Sequence, residues 1–323
     1  FSLIAVFTLI GLWLYPNSLI GPIGGRLVSA IVSGGWVLWR IFREFGIHFN
    51  YPLLKTSFSF NFYTFLYQLL QWVINYFDRI IMIFFLTLSE IGVYDFALKC
   101  LLVIEFLING LHTSFYPKVV SKVMAQASKG SSPEINRYYH GFTSVTLLLI
   151  CLCILIFPWA VDLFVNDPGY RQSIQYFPYI AVIYIFRAMR LFYSAPYGIL
   201  KYTRPLPAIY FVISVVKICL ILILVNKFGV YGVIAASLAS AVLEIILLNY
   251  NVRQKFNFQY NVFKIVLVPV VIFIMILVLE PLLGSTMPNV IHSFYVLTCV
   301  TLLWWVYRNE IKLIDPFNLL RQE

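Results

Sequence analysis

Ten charged side chains lie inside segments that are otherwise apolar, and they are the residues best suited to chemistry. The cations are Arg26, Arg79, Lys99, Arg187, Arg190 and Lys217, and the anions are Asp78, Asp95, Glu105 and Glu244. A charge at the centre of a membrane helix costs on the order of 2.5–3.5 kcal/mol, so such residues face the protein interior or a water-filled cavity. Six cations minus four anions leave two positive charges, which favours an anionic substrate.

The segments around these charges predict an all-α polytopic membrane protein. The 323 residues are 61% hydrophobic and only 11% charged, whereas soluble domains are about 25% charged. Only helices satisfy the backbone in lipid without closing a barrel. We predict one partial and nine complete spans, at about 1–15 (partial), 19–40, 57–86, 92–116, 138–163, 172–198, 206–226, 229–250, 264–283 and 290–307. The first is shorter than the about 20 residues that cross a bilayer, so we expect it to begin before residue 1.

Lysine and arginine alternate between the two sides of these predicted spans. Fifteen lie in one set of loops: Arg40, Arg43, Lys55, Lys118, Lys122, Lys129, Arg137, Lys201, Arg204, Arg253, Lys255, Lys264, Arg308, Lys312 and Arg321. The opposite set holds only Arg171 and Lys227. Cytoplasmic loops carry the excess of positive charge, so we predict a cytoplasmic C-terminus. The helix 57–86 then runs from the cytoplasm to the exterior.

That helix carries a continuous polar stripe. Its members follow one another at steps of three and four residues: Asn61, Thr64, Gln68, Gln71, Asn75 and Asp78. This spacing places them on one helical face. An apolar stripe lies beside it, made of Phe62, Phe65, Leu69, Trp72 and Tyr76. The turn near Ser89 predicts a hairpin with the next helix, whose polar face holds Asp95, Lys99, Asn109 and Thr113.

Two interpretations of this hairpin remain open. In the first, it lines an aqueous cavity and offers Arg79 and Lys99 to phosphate. In the second, ion pairs between Asp78 and Lys99, or between Asp95 and Lys99 four residues apart, serve only packing. Arg79 then lacks an evident partner.

A second charged group follows in later helices, namely Arg187, Arg190, Lys217 and Glu244. It predicts either a second cationic site or a relay for a coupling ion. The alternative, which we favour, is that Glu244 neutralises one arginine while the other reaches the cytoplasmic surface. Glu105 has no evident partner.

Catalytic and metal-binding motifs do not occur in the sequence. It contains no phosphate-binding glycine loop, nucleophile elbow or HExxH motif, and we predict no enzyme, no cofactor and no metal site. The net charge of +10 lies in short loops, so we predict no nucleic-acid partner. The short loops also argue against a membrane-embedded glycan ligase or polymerase.

The run YFDRIIMIFFLTLSEIGVYDFALK (76–99) resembles a signature of polysaccharide flippases in the multidrug/oligosaccharidyl-lipid/polysaccharide exporter superfamily. That signature is an Asp-Arg pair, an apolar run and then Gly-x-Tyr-x-x-Ala-x-Lys, here Asp78, Arg79, Gly92, Tyr94, Ala97 and Lys99. Tyr116-Pro117 is similar to the close of the eighth helix, and FGVYGVIAASLAS (228–240) to the start of the twelfth. The resemblance implies the C-terminal part of a fourteen-helix, two-lobe protein. It divides the chain into the end of the N-terminal lobe (1–50), a six-helix C-terminal lobe (51–255) and two extra helices with a tail (256–323).

The resemblance also implies a function, which is movement of an undecaprenyl-diphosphate-linked oligosaccharide across a bacterial or archaeal inner membrane by alternating access. The product would be an O-antigen of lipopolysaccharide, a capsule or an exopolysaccharide. Arg79 and Lys99 would hold the diphosphate, while Asn61, Gln68, Gln71 and Asn75 would contact the glycan. H⁺ or Na⁺ as a coupling ion and a polysaccharide polymerase are the further expected partners. A cation-coupled multidrug exporter and a glycan ligase or polymerase are the alternatives.

Overall fold

The structure, a computed structural model, describes residues 2–16, 18–46, 50–125, 133–199, 201–255, 263–272, 274–275 and 288–311. The described residues form helices and short connections, without strands. The chain divides into two compact units, Phe1–Ser59 and Phe60–Glu323, which are treated separately below. Three of the predicted cytoplasmic cations, Lys129, Lys312 and Arg321, lie outside the described residues, as does most of the second half of the predicted span 264–283.

The first unit contains α1 (Ser2–Leu14), α2 (Ile20–Phe45) and the start of α3 (Tyr51–Met82). The second unit continues with α4 (Leu88–Ala125), α5 (Pro133–Phe164), the single turn α6 (Pro168–Arg171), α7 (Ser173–Ile199), α8 (Leu206–Phe228) and α9 (Val230–Lys255). A π-helical turn at Phe263–Leu267 precedes α10 (Pro288–Ile311). The predicted all-helical class is confirmed in the described part of the chain.

Three of the described helices contain stretches that are long and apolar enough to cross a bilayer by length and composition alone. They are Tyr138–Phe164 in α5, Leu206–Phe228 in α8 and Val230–Asn251 in α9. The other long helices carry more polar residues. Among these are α3 and α4, which hold the polar stripe and most of the charged residues of the hairpin.

In the first unit, α1 and α2 touch through their backbones. A Cβ atom added to Gly11 would lie 2.1 Å from the carbonyl oxygen of Gly21, and one added to Gly25 would lie 2.2 Å from that of Phe7. Small residues allow this approach between helices. Glycine is therefore required at these positions, because any side chain would push one backbone away from the other.

We expect Gly25→Ala to lower the stability of the protein by about 1–3 kcal/mol, which is the usual cost of overpacking a close contact. The neighbouring Gly24 provides a matched control, since a Cβ atom there meets nothing within 4 Å. Thermal unfolding of the purified variants in detergent measures the difference. Equal unfolding temperatures for Gly25→Ala and Gly24→Ala would contradict the close helix contact.

The second unit is built around α7. This helix contacts α4, α5 and α9, and every residue from Ile180 to Phe186 is buried. Burial over nearly two turns means that α7 has no face exposed to solvent or lipid in this stretch. Arg187 comes directly after the buried stretch, and Arg190 follows about one turn later. Both side chains therefore extend from a helix that is buried inside the unit.

A capping box begins α4 at the turn after α3. The Thr87 backbone N–H donates to a Glu90 carboxylate oxygen at 2.9 Å, and the Glu90 N–H donates to the Thr87 hydroxyl at 3.3 Å. The reciprocal bonds satisfy two backbone donors that a helix start leaves open. Because the Thr87 backbone donor favours the ionised carboxylate, it lowers the pKa of Glu90. The turn thus sets where the two arms of the hairpin meet.

One prediction about α4 is wrong. Tyr116-Pro117 was expected to close the helix, but α4 continues through Pro117 to Ala125. Proline removes one backbone hydrogen bond and crowds the preceding turn. Phe115 and Val119, on either side of it, are 8% and 3% exposed in the core. Their packing outweighs the local cost, and the helix continues.

Candidate functional site

A polar cavity of about 200 Å³ lies within the second unit, between α3, α4, α7, α8 and α9. Its lining includes five cations and four anions: Arg79, Lys99, Arg187, Arg190 and Lys217, with Asp78, Asp95, Glu105 and Glu244. Five minus four gives one net positive charge. All the charged residues predicted inside spans, except Arg26 of the first unit, therefore line this cavity. The two sets that the sequence suggested as separate sites line the same cavity.

Asp95 connects the two arms of the hairpin. Its Oδ1 accepts a hydrogen bond from Arg79 Nε at 2.8 Å, and its Oδ2 lies 2.7 Å from Lys99 Nζ. Arg79 is therefore paired across the hairpin, although the sequence suggested no partner for it. Lys99 pairs within α4, as one of the two ion-pair alternatives proposed, and its side chain is 69% exposed. The other alternative, a pair between Asp78 and Lys99, is absent because Asp78 points to different partners.

Asp78 is buried in a set of fixed contacts, with a side chain only 4% exposed. Its Oδ2 accepts from the Tyr94 hydroxyl at 3.1 Å and lies 3.6 Å from Lys217 Nζ. Its Oδ1 accepts from the Arg79 backbone N–H at 2.8 Å. Lys217 is itself buried and also donates to the Ile74 carbonyl. A buried charge held by so many partners is positioned by the fold.

Arg187 and Asn75 link the hairpin to α7. Arg187 donates to the Asn75 side-chain oxygen at 3.1 Å and pairs with Glu105 at 3.3 Å. Its guanidinium carbon lies 4.8 Å from the centre of the Tyr184 ring, a cation–π distance. The backbone carbonyl of Asn75 accepts from Arg79 at 2.8 Å. Asn75 thus contacts Arg79 of the hairpin and Arg187 of the second charged group.

Glu244 lines the cavity from α9. It accepts a hydrogen bond from the Tyr210 hydroxyl, and its carboxylate lies 4.0 Å from Arg190 Nε. The expectation that Glu244 neutralises one arginine agrees with this geometry. The expectation that the other arginine reaches the cytoplasmic surface is wrong, because Arg187 turns inward to Glu105. Glu105, for which the sequence showed no partner, is therefore paired.

The polar stripe of α3 is only partly at the cavity. Gln71, Asn75 and Asp78 line it, because they lie on the half of the helix nearest the α3–α4 turn. The other four polar residues assigned to a cavity do not line this one: Asn61, Gln68 and Asn109 are exposed, and Thr64 donates to the Phe60 carbonyl at 2.8 Å. The adjacent apolar stripe is exposed along its length, at Phe62, Phe65, Leu69, Trp72 and Tyr76.

Several lining residues were not in the predicted site. Asp95 and Glu105 were noted as charges but not proposed as binding residues, Tyr94 was named only in the family signature, and Tyr210 was not considered. Their signal is weak, because a tyrosine in an apolar helix resembles an interface anchor. Ser237 and Ser240 also line the cavity. They were hidden in a run of small residues whose spacing is typical of helix packing.

Two comparisons with known proteins bear on this arrangement. Residues 1–124, from α1 to the end of α4, match the family described as "Polysaccharide biosynthesis protein". The chain also matches the solved structure of the lipid II flippase MurJ in its inward closed conformation, with a TM-score of 0.63 and 17% identity. The match covers 96% of this chain and 67% of that chain. This chain shares the fold of that solved structure.

The shared fold and the family match over residues 1–124 support the predicted resemblance to polysaccharide flippases. The three helices that are long and apolar enough to cross a bilayer support the predicted multi-pass membrane class, and the solved structure that the chain matches is that of a flippase. A search of curated proteins finds no match. The charged cavity described above lies between five helices of the second unit.

Proposed function

We infer that this chain acts in a flippase that moves an undecaprenyl-diphosphate-linked oligosaccharide from the cytoplasmic to the outer face of a bacterial or archaeal inner membrane. The supporting observation is the convergence of Arg79 and Lys99 on one carboxylate inside a cavity with a net positive charge. A phosphate oxygen is an anionic acceptor like the Asp95 oxygens, and arginine and lysine are the usual phosphate partners. The site therefore suits a diphosphate.

The glycan requires neutral polar groups next to the diphosphate. Gln71 and Asn75 line the cavity on the same helix as Arg79, and Tyr76 and Tyr184 add aromatic surface. Amides and tyrosines offer donors and acceptors to sugar hydroxyl groups. We propose these four side chains as the glycan contacts. The assignment of Asn61 and Gln68 to the glycan, and of Thr64 and Asn109 to a cavity lining, stays a sequence-based prediction.

The charge of the cavity also discriminates against the main alternative. A multidrug exporter for cationic compounds would need an acidic cavity, whereas this lining has five cations against four carboxylates. The lysine and arginine distribution supports a cytoplasmic C-terminus. Coupling to H⁺ or Na⁺, a polymerase partner, an O-antigen product and the boundaries of the lobes belong to the same proposal.

Reconstitution of the full-length protein in liposomes tests this function. We expect a fluorescent undecaprenyl-diphosphate oligosaccharide to become accessible to an external reagent only in liposomes that contain the protein. A fluorescent quaternary ammonium compound in the same liposomes should not move. Movement of the cationic compound without movement of the glycan lipid would overturn the proposal in favour of a multidrug exporter.

A further inference from the structure

We propose that Asp95 is a displaceable counter-ion that makes the cavity prefer a lipid diphosphate over a lipid monophosphate. The inference rests on the proposed function and assigns to that site a specificity residue. Asp95 occupies the position between Arg79 and Lys99 that a phosphate would take. The position between the two cations is thus held by a carboxylate of the protein itself, and a ligand has to replace it.

The position of Asp95 permits such an exchange. Each of its two oxygens contacts a single cation, at 2.8 Å from Arg79 Nε and 2.7 Å from Lys99 Nζ. Its side chain is 24% exposed and lines the cavity, and Lys99 is 69% exposed. The pair with the exposed Lys99 is weak, and the pair with Arg79, whose side chain is 25% exposed, is within reach of water that can replace the carboxylate. Ligand and carboxylate then compete for the same two cations.

Asp78, the other carboxylate that contacts Arg79, lacks this freedom. It is 4% exposed, and it holds Tyr94, Lys217 and the Arg79 backbone N–H at the same time. Its displacement would leave a buried lysine without its charge partner, which is costly. Of the two carboxylates that contact Arg79, only Asp95 is therefore free to exchange, although the two lie on facing helices.

Charge explains why the exchange selects for a diphosphate. A sugar phosphodiester carries one negative charge, so it replaces the single charge of Asp95 by an equal one and gains little. A sugar diphosphodiester carries two negative charges, one to replace Asp95 and one to interact with the remaining positive charge of the cavity. Specificity of this kind arises because a ligand with one charge gains no free energy when it displaces Asp95. Neutralising Asp95 should therefore reduce the preference for the diphosphate.

The test compares binding of two lipids that share one polyprenol and one sugar but carry either one or two phosphates. Full-length protein in nanodiscs is titrated with each lipid. We expect the wild type to prefer the diphosphate lipid, and Asp95→Asn to reduce that preference by about tenfold, chiefly through tighter monophosphate binding. A tenfold change corresponds to the about 1.4 kcal/mol that a charge-assisted contact can supply.

Two further variants keep the result interpretable. Asp95→Asn combined with Lys99→Gln retains the net charge of the wild type, so it guards against misfolding by repulsion and should show the same loss of preference. Glu44→Gln is the control, since Glu44 pairs with Arg40 four residues away at 2.8 Å in an exposed position of the first unit. It should keep the preference of the wild type.

The outcomes separate the inference from the function on which it rests. An unchanged preference in both Asp95 variants would overturn the role of Asp95 alone. If a stable Asp95→Asn variant bound both lipids more weakly by the same factor, the role of Asp95 in specificity would also be overturned. Asp95 would then only hold the two cations in place. A wild type that binds neither lipid would overturn the proposed function and the inference together.

Discussion

Replacement of Arg79 and Lys99 together by alanine is expected to abolish transport of the glycan lipid. The five cations of the cavity fall to three against four carboxylates, so its net charge changes from one positive to one negative. Both carboxylate oxygens of Asp95, without Arg79 and Lys99 as partners, would then repel the diphosphate. Each lost charge-assisted contact contributes about 1.5–3 kcal/mol, which predicts a loss of at least about a hundredfold in binding.

Surface glycan in cells that express the full-length variant measures this effect, with membrane abundance determined in parallel. Abundance should stay close to that of the wild type, because Asp95 is partly exposed and Asp78 retains Tyr94 and Lys217. Arg40→Ala combined with Lys227→Ala removes two exposed cations outside the cavity and is the matched control. Normal surface glycan from the Arg79 and Lys99 double variant would refute the cavity assignment.

Lys217→Met is expected to have the largest effect on stability, with a loss of about 3–5 kcal/mol. Lys217 is 7% exposed and lies 3.6 Å from Asp78, which is 4% exposed. Removal of the ammonium group leaves a buried carboxylate with less compensating charge. A second change, Asp78→Asn, removes that charge as well, so the double variant should recover most of the lost stability.

Thermal and chemical unfolding in detergent tests this prediction, and Lys99→Met is its control. Both lysines pair with an aspartate of the hairpin, but Lys99 is 69% exposed, and exposed pairs contribute only about 0–1 kcal/mol. A loss of stability of equal size in Lys99→Met and Lys217→Met would contradict the structural role of Asp78. Failure of Asp78→Asn to rescue Lys217→Met would contradict it as well.

Local spacing was enough to predict much of the hairpin. Three- and four-residue steps placed Gln71, Asn75 and Asp78 on one face, and all three line the cavity. The step of four between Asp95 and Lys99 was the basis for one of the two predicted ion pairs, and that pair is present. Both predictions need only the geometry of a single helix, which explains why they could be made from the sequence.

Contacts between distant helices could not be predicted in the same way. Arg187 donates to Asn75 across 112 residues of chain, and Lys217 to the Ile74 carbonyl across 143. Such contacts depend on which helices are neighbours and how each is rotated about its axis, and span prediction supplies neither quantity. The same limit explains why the two charged groups were predicted as separate sites. Pro117 was misjudged for a related reason, since tertiary packing of its neighbours decided the outcome.

The position of Asn75 between the two charged groups has a thermodynamic consequence. Its carbonyl oxygen accepts from Arg79 and its side-chain oxygen from Arg187, so a shift of α3 at this residue alters both contacts at once. Free energies of changes at sites that share a partner are not additive, and coupling between two such sites is reciprocal. We therefore expect the effects of substitutions at Arg79 and Arg187 on anion binding to be non-additive, because Asn75 is a partner of both arginines.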